Sequence, residues 1–353
     1  MPSSSIANSP AQLPMRSTGQ ERLALRSAAT QFVKELVWSC VQFRPTKKPI
    51  LIFGSRRSGS TLLMQMIAAN PGVMFSDQPF GLYTMSTATI NRLPLFAYSQ
   101  IACPDDEEAA IIRRYLMQLL SGEIRVNTPW RFWSRDFHFF NDRICLKITD
   151  AKAIIDWIDQ QCDAHIVVLT RHPIAQALSV KKNGWLSTGK GLLRNRQFVE
   201  QYLGDELESE CWKVYRTGSE MEIRVADWAL ENLVPISLLP ERSKWTFIGY
   251  EDMITSAQAV VQRLASDLGL DDPDAMSKQL LQPSRSTRKA SSQDRQQMIR
   301  QNDRQLLVDS WQKAVESREV STCFDLLNRF GISLYAPDSS MPNHAFLGRR
   351  GFA

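Results

Sequence analysis

The chain lacks any apolar run long enough to cross a bilayer. The most apolar part of its N-terminal region, Leu36–Phe43, is far too short. No targeting segment is evident either, so a soluble, cytoplasmic protein without a transmembrane segment is expected. Paired cysteines are also missing: Cys40, Cys103, Cys145, Cys162, Cys211 and Cys323 are scattered, and no two have the spacing of zinc ligands or of a redox motif. Several sit inside apolar runs, which points to buried free thiols in a reducing compartment. There is no internal repeat. An excess of one charge is nearly absent, with 42 Lys and Arg against 37 Asp and Glu, a net charge of +5. That balance suits an anionic ligand without requiring nucleic acid. At 353 residues the chain can bury a large core, and one large domain is expected.

What is present centres on residues 49–64. The apolar strand-length run Pro49-Ile50-Leu51-Ile52-Phe53 delivers Gly54-Ser55-Arg56-Arg57-Ser58-Gly59-Ser60-Thr61, which opens straight into a helical pattern. Backbone amides of such a turn, the positive end of the following helix and the hydroxyls of Ser58, Ser60 and Thr61 would converge on one anion, a phosphate. The glycine spacing is that of the nucleoside-triphosphate loop, yet Ser60 stands where that motif needs its lysine. Arg56 and Arg57 supply guanidiniums suited to bidentate phosphate or sulfate contact instead.

Elsewhere, residues 1–19 are Ser-, Pro- and Gln-rich and expected to be disordered. A helix is expected within 20–47, packed on the main domain. Its basic residues and Trp38 leave a peripheral membrane contact through 21–43 as the alternative. Helices are expected over 60–69, from 104 to Gly122, and over 151–161, 195–215, 221–233, 257–268 and 321–330. Strands are expected at 73–75, 143–148, 165–170 and 245–249. Strands separated by one helix-length segment imply parallel pairing. Between Trp130 and Phe140 six aromatic residues interleave with Arg131, Arg135, Asp136 and His138, which reads as an acceptor-pocket lining or as core under a loop. The basic stretch 284–305, with Arg285, Arg288 and Lys289, reads as a lid over a nucleotide or as a solvated face. The tail, 336–353, is expected to be flexible.

Three blocks carry a family resemblance. Arg57-Ser58-Gly59-Ser60-Thr61-Leu62-Leu63 resembles the 5′-phosphosulfate-binding loop of the sulfotransferases, especially bacterial and carbohydrate-type members. Val167 to Ser179 places Arg171 at a strand end and Ser179 eight residues later, a little over two helical turns, and resembles the family's 3′-phosphate-binding element. Tyr250-Glu251-Asp252-Met253 resembles its Tyr-Glu-Asp-Leu segment. The resemblance covers about residues 48–335, and 174–179 is also similar to the bacterial trehalose sulfotransferase group.

The resemblance implies a P-loop-like, three-layer α/β fold with a central parallel sheet flanked by helices. It implies transfer of a sulfuryl group from 3′-phosphoadenosine 5′-phosphosulfate to a hydroxyl, or an amine, of a small-molecule, sugar or lipid acceptor, without a metal. Lys147 matches the strand-end lysine that reaches the sulfuryl group, and Asp77, with Gln78 as alternative, matches an acidic residue able to act as base. Asp150 and His138 are further base candidates by neighbourhood. Two rival classes are a nucleotide-dependent phosphotransferase, which Ser60 disfavours, and a nucleic-acid-binding protein using 285–304.

Overall fold

The structure, a computed structural model, describes residues 18–81, 93, 100–282 and 304–348. The chain divides after Val41 into two units. The first contains one helix, α1 (Thr18–Ser39). It begins earlier and ends sooner than the apolar stripe suggested, because the chain turns off at Cys40 and Val41, whose amides bond Val37 O and Trp38 O.

The second unit contains the sheet. Its strands are β1 (Gln42–Phe43), β2 (Ile50–Gly54), β3 (Val73–Asp77), β4 (Phe140–Asn141), β5 (Arg143–Ile148), β6 (His165–Thr170) and β7 (Thr246–Gly249). The helices continue as α2 (Ser60–Ala68), α3 (Asp106–Leu120), α4 (Ile155–Gln161), α5 (Pro173–Lys182), α6 (Gly189–Arg194), α7 (Arg196–Tyr202) and α8 (Gly204–Thr217). After these come α9 (Glu220–Leu238), α10 (Tyr250–Thr255), α11 (Ala257–Leu268), α12 (Pro273–Leu280), α13 (Arg304–Asp309) and α14 (Ser317–Arg329).

Five strands form one parallel sheet in the order β3-β5-β2-β6-β7, and β1 pairs with β4 as a separate parallel ribbon. Strands buried on both faces read as unbroken apolar runs, which is why Ile50–Phe53 and Ile166–Leu169 show no alternation. The side chains nevertheless alternate between two cores. Ile50, Ile52, Phe75, Val167, Leu169 and Ile248 pack with α2, α10, α11 and α12. Leu51, Phe53, Leu146, Ile148, Val168 and Phe247 pack with α3, α4, α5, α9 and α14 on the other side. This is the three-layer α/β arrangement expected. Its parallel strands all bring their C-terminal ends to one edge, where Gly54, Asp77, Ile148, Thr170 and Gly249 lie.

Three expectations change. The single helix over 195–215 is divided: Asn195 caps α7 by accepting from Phe198 N at 3.0 Å, and Gly204, the first residue of α8, takes φ 73°. Helix α9 does not stop before Pro235 but runs through it, held by buried Val234, Pro235 and Ile236; the imide costs one ladder bond that packing outweighs. Residues 336–348 are tied down rather than loose. Trp311 Nε1 donates to Ser340 Oγ at 2.9 Å, His344 Nε2 lies 3.0 Å from Asp252 Oδ2, and Leu347 is buried. Among the aromatic residues of 130–140, Phe132, Trp133, Phe139 and Phe140 are exposed, with Phe132 and Trp133 meeting edge to face at 4.9 Å. Among the described residues no helix is long and apolar enough to cross a membrane.

Candidate active site

The loop after β2 is shaped by two residues in the left-handed region, Arg57 at φ 67° and Gly59 at φ 98°. Ser58 Oγ donates to Ser55 O at 2.7 Å, so its hydroxyl closes the loop on itself. A side chain at Gly59 would place its Cβ 2.5 Å from Tyr250 Cδ2; only glycine admits both that φ and that contact. The intrahelical ladder of α2 starts with Leu62 and Leu63 N bonding Gly59 O, which leaves the amides of Ser60 and Thr61 for another acceptor. A helix start with open amides and hydroxyl residues at its first turn has the chemistry that suits an anion.

The second element closes on the first. Arg171 follows β6, and Ser179 lies two turns into α5. Arg57 Nε donates to Ser179 Oγ at 2.9 Å, and Arg171 Nη1 donates to Arg57 O at 3.3 Å. Arg171 also lies over the Tyr250 ring at 4.5 Å, and Arg57 approaches the Trp185 ring at 5.6 Å. Three residues distant in sequence therefore concentrate positive charge and a hydroxyl at one place. The frame behind them is buried. Glu251 accepts from His172 N and from Tyr335 OH, each at 2.9 Å, and burial pushes its carboxyl up to about 7. His172 stacks on Trp311 at 4.1 Å, and burial pushes its imidazole down to about 3, so it is neutral at physiological pH.

Lys147 stands directly opposite Asp77 in the β3–β5 register. Its Nζ is 2.5 Å from Asp77 Oδ1 and donates to Thr61 Oγ1 at 3.0 Å, so a cation, a carboxylate and the helix start meet. Asn127 Nδ2 holds Asp77 O at 3.0 Å, while Gln78 N bonds Lys147 O. Asp150 is buried after β5, bonded by the Thr149 hydroxyl; burial pushes it up to about 6. His138 is not brought to this group. Its Nε2 lies 3.0 Å from Ala68 O, at the far end of α2 from Thr61 and about 10 Å away by helical rise. Arg56 diverges from Arg57: it also approaches Trp185, yet its charge acts on Asp150, Lys152 and Glu231. Arg285, Arg288 and Lys289 lie outside the described residues. Among the described residues no group of three or more His, Cys, Asp or Glu is placed to hold a metal ion.

The model of the sulfotransferase family matches residues 49–274, which contain Arg57, Asp77, Lys147, Arg171 and Ser179. The chain belongs to the sulfotransferase family. Solved structures similar to it include the sulfotransferase domain from the Synechococcus PCC 7002 olefin synthase, 15% identical over 83% of this chain and 97% of that one, with a TM-score of 0.40. Mouse sulfotransferase SULT7A1, complexed with PAP, is 14% identical over 83% and 87%, with a TM-score of 0.37. Sulfotransferase STF1 from Mycobacterium tuberculosis H37Rv is 16% identical over 80% and 84%, with a TM-score of 0.33. No curated protein matches the chain.

In this member of the family a further layer lies beneath the loop. Lys152 is fully buried, bonds the Ser55 hydroxyl, and donates to Glu231 Oε2 at 3.0 Å and to Asn232 Oδ1 at 3.5 Å. Glu231 also accepts from the Thr188 hydroxyl; burial works against its charge, but Lys152 and Arg56 outweigh it and hold the carboxyl below its usual range. Lys152 was not singled out from the sequence, where it reads as an ordinary polar residue after a strand. Only partners 79 and 97 positions away reveal it.

Proposed function

We propose that the protein transfers a sulfuryl group from 3′-phosphoadenosine 5′-phosphosulfate to a hydroxyl, or an amine, of a small-molecule, sugar or lipid acceptor. The observation that carries this reading is the Arg57–Ser179 bond, with Arg171 on the Arg57 carbonyl. It brings Arg171 and Ser179 into contact with the loop, which supports a reading in which one nucleotide carrying two phosphates spans both. The donor supplies the sulfuryl group and leaves as 3′-phosphoadenosine 5′-phosphate.

Each residue then has a task. The amides of Ser60 and Thr61, with Arg57, take the negative charge that grows on the 5′-phosphate oxygen as its bond to sulfur breaks. Arg171 and Ser179 hold the 3′-phosphate. Lys147, between Thr61 and Asp77, stabilises the sulfuryl oxygens in transit. The acceptor oxygen forms the new bond to sulfur, and its proton goes to the Asp77 carboxylate, which is 34% exposed and so open to an acceptor. In this reading Asp150, buried, supports the site rather than exchanging protons with an acceptor.

Calorimetry and a mass-spectrometric assay test this together. The chain should bind 3′-phosphoadenosine 5′-phosphate but not ATP, and a metabolite extract supplied with donor should show products heavier by one sulfuryl group. Binding of ATP alone would point to phosphoryl transfer.

A further inference from the structure

Beyond residue 274, where the family match ends, the chain returns to the site. Residues 334–343 fold back on themselves, with Asn343 N donating to Leu334 O at 2.6 Å, and Tyr335 is carried into the interior, 4% exposed. Its hydroxyl meets two elements of the site. It donates to Glu251 Oε2 at 2.9 Å and lies 3.1 Å from Thr170 Oγ1. A phenol has one proton, and with that proton given to Glu251 its oxygen accepts from the Thr170 hydroxyl. Thr170 ends β6 directly before Arg171, and Glu251 follows Tyr250, the ring over which the Arg171 guanidinium lies at 4.5 Å. One buried hydroxyl therefore ties the strand end that carries Arg171 to the helix start that carries its ring. Glu251 takes His172 N on its other oxygen at 2.9 Å, and Trp228 Nε1 donates to Arg171 O at 3.0 Å, so residues 170, 171 and 172 are each held by a different element. His344, from the same returning segment, adds a second tie to α10 at Asp252 Oδ2, 3.0 Å away.

Resting on the reading of Arg171 as the 3′-phosphate contact, we propose that Tyr335 is a positioning residue for 3′-phosphate recognition: its hydroxyl holds Arg171 and Tyr250 in place for the ligand, which it does not itself touch. An arginine side chain has many rotamers, and its bond to a phosphate counts for most when that freedom has been given up before the ligand arrives. Here the backbone at Arg171 is fixed from both sides and the Tyr250 ring seats the guanidinium. Without the Tyr335 hydroxyl, Glu251 Oε2 and the Thr170 hydroxyl lose their common partner. A buried carboxylate oxygen left unmet is costly, and a shift of α10 against β6 relieves that cost at the expense of the seat.

Calorimetry on the full chain, with 3′-phosphoadenosine 5′-phosphate and with adenosine 5′-phosphate, which differs only by the missing 3′-phosphate, decides it. Tyr335→Phe keeps the ring and removes the hydroxyl; it should raise the Kd of the bisphosphate about tenfold and that of the monophosphate by less than about twofold. In an Arg171→Ala background the same change should leave both Kd values where Arg171→Ala put them, because a residue that acts through Arg171 has nothing further to lose there. Thr170→Val removes the other end of the bridge and should repeat the selective loss, which keeps the comparison in hand if Tyr335→Phe does not fold. A Tyr335→Phe chain that melts lower but binds both nucleotides as the wild type does, or that loses both equally, gives Tyr335 a structural role only and overturns the proposal, as do additive losses in the double variant. The donor reading is reported separately, by Arg171→Ala alone. If that change weakens both nucleotides equally, or neither, Arg171 is not the 3′-phosphate contact, and the proposal falls with it.

Discussion

Lys147 is where a single charge carries most of the proposed chemistry. It is 4% exposed, yet its ammonium has two polar partners from different elements, Thr61 and Asp77. Removing one preorganised stabilising group typically lowers turnover by about two orders of magnitude. Lys147→Ala should do so while binding of 3′-phosphoadenosine 5′-phosphate stays within a few fold. Asp77→Asn should abolish turnover with binding intact, and an active Asp77→Asn enzyme would remove Asp77 as the base. Arg171 poses the sharper question, because its contact is assigned to one phosphate. Charge-assisted bonds of this kind are worth about 1.5–3 kcal/mol, hence about ten- to a hundredfold in affinity. Arg171→Ala should weaken 3′-phosphoadenosine 5′-phosphate by that factor and barely change adenosine 5′-phosphosulfate, which lacks the 3′ group. Equal weakening of both ligands would remove Arg171 as the 3′-phosphate reader.

The strand–loop–helix from Ile50 to Ala68 is the element on which the site turns, and Gly59 is its hinge. Two separate obstacles meet a side chain there: the left-handed φ of 98° and Tyr250 Cδ2 at 2.5 Å. Gly269 ends α11 with φ 58° and nothing within 4 Å, so it isolates the first obstacle. Gly269→Ala should cost about 1 kcal/mol from backbone strain alone. Gly59→Ala should cost more, up to about 3 kcal/mol in chemical denaturation, and should also lose bisphosphate binding as Tyr250 is displaced toward Arg171. Equal costs at the two glycines would mean that Tyr250 yields freely. At this scale much was legible beforehand. Gly59, the strand before it and the acids opening α3 are local signals, and α3 carries the capping box of Asp105 and Glu108 that such a pattern implies. The passage of α9 through Pro235 was not legible, because propensity argues for a break and only burial of both neighbours overrides it.

For the whole molecule, buried acids make stability depend on pH. Asp150 is raised from 3.8 to about 6 and Glu251 from 4.5 to about 7, both chiefly by burial. Between about pH 4 and 7 the folded chain therefore keeps protons that the unfolded chain has released. Their contribution is full below the unfolded values and is lost as pH rises through the folded ones. Glu231 and His172 act in the opposite sense: the Glu231 carboxyl is held low, so its contribution is lost only at more acid pH, while His172, pushed from 6.5 down to about 3, offsets part of the fall below its unfolded value. Thermal melts should show a melting temperature that falls from pH 5 to pH 8, and Asp150→Asn should flatten the part between pH 4 and 6. A melting temperature that rises across that range, with Asp150→Asn no different, would mean that these two acids do not govern it.

The sequence alone determined the parallel α/β class of fold and the strand, glycine loop and helix from Ile50 to Ala68, because these rest on short-range patterns: an apolar run, a glycine spacing, a strand end followed by a helix. Tertiary structure alone decided what depends on contacts between distant segments. Arg56 and Arg57, neighbours in the chain, share the Trp185 ring, yet the fold brings Arg57 to Ser179 and the charge of Arg56 to bear on Glu231. It buries Lys152 against Glu231 and Ser55, and takes His138 to the far end of α2. The physical reason is that a side chain's charge, burial and direction follow from which elements pack around it, and in a parallel sheet those elements come from far apart in the chain.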